Sequence, residues 1–240
     1  TTHGALEQQF GSYDFYRTLW DITGAVTDSK SLSVRFAGGY QNSGSFRDFN
    51  FTDRKIFNPS VTWRPPESTT ITADVEILKH EYRPDFGIPI IGNRPAPVPI
   101  SRSYSDPNTP AAFTNKTHIG FHLDHTFNES WKLTNRFLAS YLDTEDLWPN
   151  PTPAFGTALQ ANGRTLNRNI FGQTSYVRTY ATNLDLVGKF SVAETQHKVL
   201  IGLDYTRATT DYFFFGNFNV SNPALAIDLF NPSYGIDPAL

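Results

Sequence analysis

From Thr70 to Ile77 the chain alternates without a break. Ile71, Ala73, Val75 and Ile77 are apolar, and Thr70, Thr72, Asp74 and Glu76 between them are polar. Successive side chains of a strand take opposite faces, so this segment has one greasy face and one wet face. Leu32, Val34, Phe36, Gly38 and Tyr40 alternate with Ser33, Arg35, Ala37, Gly39 and Gln41 in the same way. Ile119, Phe121 and Leu123 alternate with His118, Gly120, His122 and Asp124. Val199, Ile201, Leu203 and Tyr205 repeat the scheme, with Leu200 intruding on the polar face. The pattern predicts nine strands, at about 5–13, 15–27, 31–46, 54–64, 69–83, 114–127, 131–147, 171–191 and 197–214. Most exceed the five or six residues typical of a soluble sheet. A tilted strand needs about 9–11 residues to cross a bilayer.

The connections sort by length. Tight ones fall at Asp28–Ser31, Arg64–Ser68, Asn128–Ser130 and Ala193–Gln196. Long ones lie between them at about 42–53, 84–113, 148–170 and 215–240, rich in Pro, Gly, Asn and aromatics. Outer-membrane barrels have this asymmetry, with short periplasmic turns on one rim and long extracellular loops on the other. A soluble sandwich has no reason to alternate them. Aromatic residues make up 15% of the chain and gather near the predicted strand ends, among them Phe10, Tyr16, Tyr40, Trp63, Phe127, Trp131 and Phe190. Girdles at two membrane interfaces produce such clustering.

Composition then removes whole classes of function. A formal net charge of -3 and a pI near 6.0 leave no electrostatic footprint for nucleic acid. The absence of Cys removes disulfides, thiolate chemistry and cysteine metal sites. No phosphate-binding loop, dinucleotide-binding turn or nucleophile elbow is present.

An ordered set of segments carries a resemblance. Gly11-Ser12-Tyr13-Asp14 opens a short first hairpin, and Tyr40-Gln41-Asn42-Ser43-Gly44-Ser45-Phe46-Arg47-Asp48 follows one strand later. Then come Pro59-Ser60-Val61-Thr62-Trp63-Arg64-Pro65 and Phe121-His122-Leu123-Asp124-His125-Thr126-Phe127-Asn128. Gly202-Leu203-Asp204-Tyr205 precedes Leu229-Phe230-Asn231-Pro232. In this order and spacing the chain resembles the early barrel strands of TonB-dependent ferric-siderophore receptors, particularly the ferrichrome and hydroxamate type, from about residue 5 to 235. The resemblance implies an all-β antiparallel meander, one section of a 22-stranded transmembrane barrel. It implies an outer-membrane location in contact with lipid, a ferric siderophore as transported ligand and no covalent cofactor. It implies uptake energised by TonB through a plug domain. The plug, the TonB-contacting segment and a signal peptide are expected before Thr1, and about thirteen further strands after Leu240.

The resemblance also directs attention to two loops. Tyr82-Arg83-Pro84-Asp85-Phe86-Gly87 begins the long third outer loop, where the family places ligand-binding aromatics, and Trp148 begins the fourth. Phe86 and Trp148 are the first candidates for ligand contact, followed by Tyr82, Arg83 and Tyr104. Ile88 stands near where the family leads one to expect an aromatic. Aromatic faces with a few donors suit a compact, amphipathic ferric hydroxamate.

Two other constellations read blandly. His118 and His122 share a face about 13 Å apart at 3.3 Å per residue, and His125 points the other way, so they are expected to line the lumen rather than share a metal. Asp143 and Glu145 share a face, with Asp146 beside them. No base, nucleophile or oxyanion site accompanies them, so all three read as solvated rim residues and the chain as no enzyme. Two competing readings remain. One is a complete small outer-membrane barrel, an adhesin or channel, which needs an even strand count and a closing aromatic strand. The other is a soluble carbohydrate-binding β-sandwich, which needs two packed sheets.

Overall fold

The computed structural model of the protein describes residues 2–65, 68–150, 158–217 and 222–236. The strands, in chain order, are β1 (His3–Gly11), β2 (Phe15–Ala25), β3 (Leu32–Ser43), β4 (Thr52–Trp63), β5 (Thr69–Tyr82), β6 (Ile90–Ile91), β7 (Arg94–Pro95), β8 (Ala112–Thr126), β9 (Trp131–Asn150), β10 (Thr165–Leu166), β11 (Asn169–Val192), β12 (Thr195–Asn217) and β13 (Ile227–Asp228). Nine of them form one antiparallel sheet in the order β1-β2-β3-β4-β5-β8-β9-β11-β12. Each long strand therefore pairs with its neighbour in sequence, the connectivity of a meander. The short pairs β6–β7 and β10–β13 lie in the loops. There is no helix among the described residues.

The ladders keep a constant register, so the alternation in sequence becomes two continuous faces. Ile71, Ala73 and Val75 of β5 pair with Leu123, Phe121 and Ile119 of β8, and Phe121 pairs in turn with Phe137 of β9. On the other face Thr72, Asp74 and Glu76 pair with His122, Gly120 and His118. Polar contacts run along that wet face. Arg35 forks onto Asp21 at 2.9 and 2.5 Å, Thr134 donates to Asp124 at 2.7 Å, and Lys116 pairs with Glu76. His122 meets Asp124 at 3.1 Å on this face, and His125 contacts Thr69 on the other.

The apolar face carries local devices of its own. Trp131 lies over Gly188, its cross-strand partner, so closely that a Cβ there would sit 2.6 Å from the indole. Trp20 covers Gly38 in the same manner. An aromatic ring thus shields the backbone where glycine has no side chain. Pro59 offers no N–H, and the β4–β5 ladder accordingly skips the pairs at Asn58 and Pro59 before resuming in the same register.

Among the described residues the sheet has no second layer. Large hydrophobics such as Leu6, Ile22, Phe36, Val61, Leu184 and Ile201 stand exposed on the apolar face. The chain presents 14663 Å² to its surroundings. A compact water-soluble protein of 27.0 kDa exposes about 10,800 Å². The single, uncovered sheet removes the sandwich reading, which requires two sheets face to face. Buried apolar residues gather instead in the loops, around Tyr104, Leu166, Ile227 and Leu229, with a second group at Ile170, Leu225 and Ile236.

The outer ends of β9, β11 and β12 reach Asn150, Asn169 and Asn217, two or three residues beyond the sequence expectation. Pairing continues there because each strand has a neighbour to satisfy its backbone: Asn150 opposes Asn169, and Ile170 opposes Asn217. The β1–β2 connection is tight although it lies on the long-loop side, with Tyr13 and Asp14 both at positive φ, 63° and 54°. The turn at 64–68 includes Pro66 and Glu67, which lie outside the described residues.

The two faces make opposite demands on adjacent residues. Phe121→Arg, on the apolar face, is expected to cost about 2–4 kcal/mol of barrel stability if that face meets hydrocarbon. His122→Arg, one residue on and beside Asp124, is expected to fall within about 0.5 kcal/mol of the parent. Denaturant unfolding of the two variants in lipid vesicles checks the contrast.

Candidate ligand-binding vestibule

Four segments on the long-loop side fold together above the sheet: residues 44–51, 83–111, 158–168 and 222–236. Their centre is Arg168. Its Nε donates to the Leu225 carbonyl at 2.8 Å and its Nη1 to the Tyr104 carbonyl at 3.2 Å. The guanidinium lies 3.8 Å from Asp106, with both side chains wholly enclosed. Asp106 accepts the backbone N–H groups of Asn108, Gly235 and Ile236. One buried pair thus ties three segments that are far apart in sequence. A charge buried here is tolerable because hydrogen bonds surround it.

Arginines also hold the first two segments. Arg47 donates to the carbonyls of Ile100 and Arg102 and meets Asp85 at 3.0 Å. Arg83 donates to the carbonyls of Phe49, Pro107 and Thr109 at 3.0–3.2 Å and lies over the Phe51 ring. Asn50 donates to the Arg83 carbonyl at 2.9 Å. These carbonyls belong to irregular backbone with no ladder to satisfy them, and the planar guanidinium forks supply the missing donors. Burial pushes the Arg83 and Arg168 pKa values down, and Asp106 opposes the shift in both.

Below the loops, the outer end of the polar face forms an aromatic wall. Tyr82, Ala112, Asp146, Gln173 and Phe214 lie at one level of the ladder, on β5, β8, β9, β11 and β12. Ala112 presents only a methyl group, so Tyr82 reaches across β8 and its hydroxyl approaches Asp146 at 3.3 Å. The other carboxylate oxygen accepts from Gln173 at 2.9 Å, and the Gln173 oxygen accepts from Tyr212 at 2.7 Å. His80 stacks on Tyr82 at 4.8 Å, and Phe171 packs on Phe214 at 5.3 Å. Asp146 is only 6% exposed. Rather than a solvated rim residue, it is the enclosed centre of a four-strand network. Asp143 stays exposed on the opposite face.

The five residues singled out in the sequence occupy different roles in this geometry. Tyr82 is half-buried in the wall. Phe86 is half-buried at the start of the third loop, beside a turn in which Asp85 accepts the Gly87 N–H at 2.8 Å. Trp148 has its backbone opposite Phe171, two residues beyond Asp146, and its side chain lies outside what the structure describes. Arg83 is occupied with loop carbonyls. Tyr104 is 2% exposed and donates its hydroxyl to the Leu229 carbonyl at 2.8 Å, which places it in the loop core. Burial pushes its pKa up to about 12. Asp146, Gln173 and Tyr212 were not legible as a group, because 27 and 39 residues separate the pairs that bond.

The loop assembly yields two expectations. Arg168→Ala leaves Asp106 buried without its cation, a loss of about 3–5 kcal/mol. Limited proteolysis should then cut within 83–111 at protease levels that leave the parent intact. Tyr104 has a folded pKa near 12 against an ordinary value of 10.0, so the stability it contributes is complete below pH 10 and is lost as pH rises through about 12. Tyr104→Phe removes one hydrogen bond, about 1 kcal/mol, and flattens that alkaline loss. Protease resistance of the loops measured across this range checks the sign.

Comparison with known proteins agrees with this architecture. No family model matches the chain. It is 27% identical over 230 residues to the metal-pseudopaline receptor CntO of Pseudomonas aeruginosa, covering 96% of this chain and 32% of the relative. It is 22% identical over 254 residues to the ferrichrome outer membrane transporter/phage receptor of Escherichia coli K12, covering 97% and 33%. Among solved structures, the ferric-catecholate import receptor Fiu of Escherichia coli K12 superposes with a TM-score of 0.80 at 18% identity, over 99% of this chain and 35% of the other. The chain thus spans about a third of the proteins it matches, and those proteins are receptors and transporters rather than enzymes. Pseudopaline, ferrichrome and catecholate all appear among the matches, so the ferrichrome and hydroxamate type is not singled out. The fold is that of a section of the barrel wall of an outer-membrane siderophore receptor.

Proposed function

We propose that this chain forms wall and outer vestibule of a receptor that takes up ferric siderophores across the bacterial outer membrane, energised by TonB through a plug domain. The observation that supports this most is the placement of the loop assembly. It stands directly above an aromatic wall on the polar face of a sheet whose other face is built for lipid. Capture then needs no covalent chemistry. The ferric complex is bound at the outer mouth and passes inward when the plug rearranges.

In this reading Phe86, Trp148 and Tyr82 contact the ligand, because aromatic faces cover a compact metal complex without ordering many rotors. Arg83 and Tyr104 act one step back, holding the loop backbone that presents Phe86. Hydroxamate complexes are the ligand subclass proposed, in line with the ferrichrome transporter among the relatives.

Uptake of radiolabelled ferric ferrichrome and ferric ferrioxamine B by cells expressing the full-length receptor tests the proposal. Uptake should require the receptor and collapse in a TonB-deficient strain. Phe86→Ala and Trp148→Ala should each weaken binding about 3–10-fold, the equivalent of about 0.5–1.5 kcal/mol per aromatic contact. Unaltered uptake of both complexes in the receptor-deleted strain refutes the assignment.

A further inference from the structure

At the centre of the wall lies an enclosed carboxylate. Asp146 is enclosed to 6% exposure. Among the described residues no Lys, Arg or His lies within ion-pair distance of it, whereas Asp21, Asp85, Asp106, Asp124 and Asp228 each have a basic partner. Its hydrogen bonds from Tyr82 and Gln173 come from neutral donors and use about half of a carboxylate's acceptor sites. A buried carboxylate without a cation is costly, and the network holds this one in place. Aromatic residues share this end of the wall: the Tyr82 hydroxyl reaches Asp146, Tyr212 stands behind Gln173, and Phe214, paired with Gln173, packs on Phe171. A fixed negative charge among aromatic faces is the pattern that recognises a cationic group, by ion pairing and by the ring quadrupole together.

We infer that the vestibule selects ferric siderophores that carry a protonated amine, with Asp146 as the group that pairs with it. The inference rests on the receptor reading and refines it. Asp146 is a specificity determinant: it contacts the amine arm, and the iron-bearing core of the ligand sits against the surrounding aromatics. The Gln173–Tyr212 link keeps the carboxylate fixed in its place, so the ion pair forms without reorganising the wall.

Two ferric complexes with the same trihydroxamate core test this, ferrioxamine B with its free terminal amine and its N-acetylated form. Binding is measured on the full-length receptor in outer-membrane vesicles. The parent should bind the free amine at least about tenfold more tightly. Asp146→Asn should abolish that preference and keep the affinity for the acetylated complex, which shows that the site is still folded. Asp146→Glu should restore part of the preference. Equal binding of the two complexes by the parent overturns the inference and leaves the receptor reading intact. A preference that survives in Asp146→Asn also overturns it, by placing the amine elsewhere. Failure of the parent to bind either complex removes the receptor reading and the inference together.

Discussion

The structure depends on backbone hydrogen bonding within a sheet that has no covering layer. Every long strand between the edges is bonded on both sides by its sequence neighbours, so the polar backbone is satisfied inside the sheet and the side chains are free to face two different surroundings. Hydrocarbon supplies no donors or acceptors, and a surface built for it can therefore display Phe36, Phe121 and Ile201 only because the ladder beneath is complete. The same constraint explains the constant register. A slip of one residue in β5 or β8 would carry Asp74 or Asp124 to the apolar side. It also explains why Pro59 costs local ladder pairs without disturbing the strands beyond it. Neighbouring residues on both sides hold the register.

The outer loops solve a different problem. They have no ladder, yet they must be firm enough to present a binding surface. Their solution is a small core of their own, with Leu166, Leu225 and Leu229 wholly buried, and arginines that feed donors to stranded carbonyls. Arg47 and Arg83 serve the first half of the assembly, and Arg168 the second. Wall and loops thus divide the labour. The sheet fixes positions along the strands, and the arginines fix irregular backbone above it.

The two parts were unequally legible in the sequence. Period-two alternation is a local signal, and in β5 and β8 it revealed both faces and the strand limits to within two residues. The sorting of short and long connections was equally visible, because turn length is written along the chain. The loop interior was not. Tyr104 is an aromatic in a polar loop, which reads equally well as a ligand contact or as a core residue; its burial follows from Leu229, 125 positions away. Arg168 and Asp106 carried no local mark of pairing. Their partnership follows from the way the third and fourth loops and the segment after β12 stack, and no pattern within one segment encodes that.

Asp143, Glu145 and Asp146 show how much one residue of parity decides. Taken as a cluster at a strand end, they look alike. The ladder puts Asp143 opposite Asn115 and Tyr176 on the outward face, and Asp146 opposite Gln173 on the inward one. Asp143 is exposed there. Asp146 is enclosed, and the surrounding groups match that: a glutamine to donate, a tyrosine to fix the glutamine, and an alanine on β8 small enough to let a second tyrosine across. Four strands contribute to keeping one carboxylate in one place. A neutral amide offers one acceptor oxygen where this carboxylate uses two, so it would keep one of the two bonds unless a neighbour reversed its role. The amide would also lack a negative charge, and that charge is what a cationic group entering the vestibule would meet.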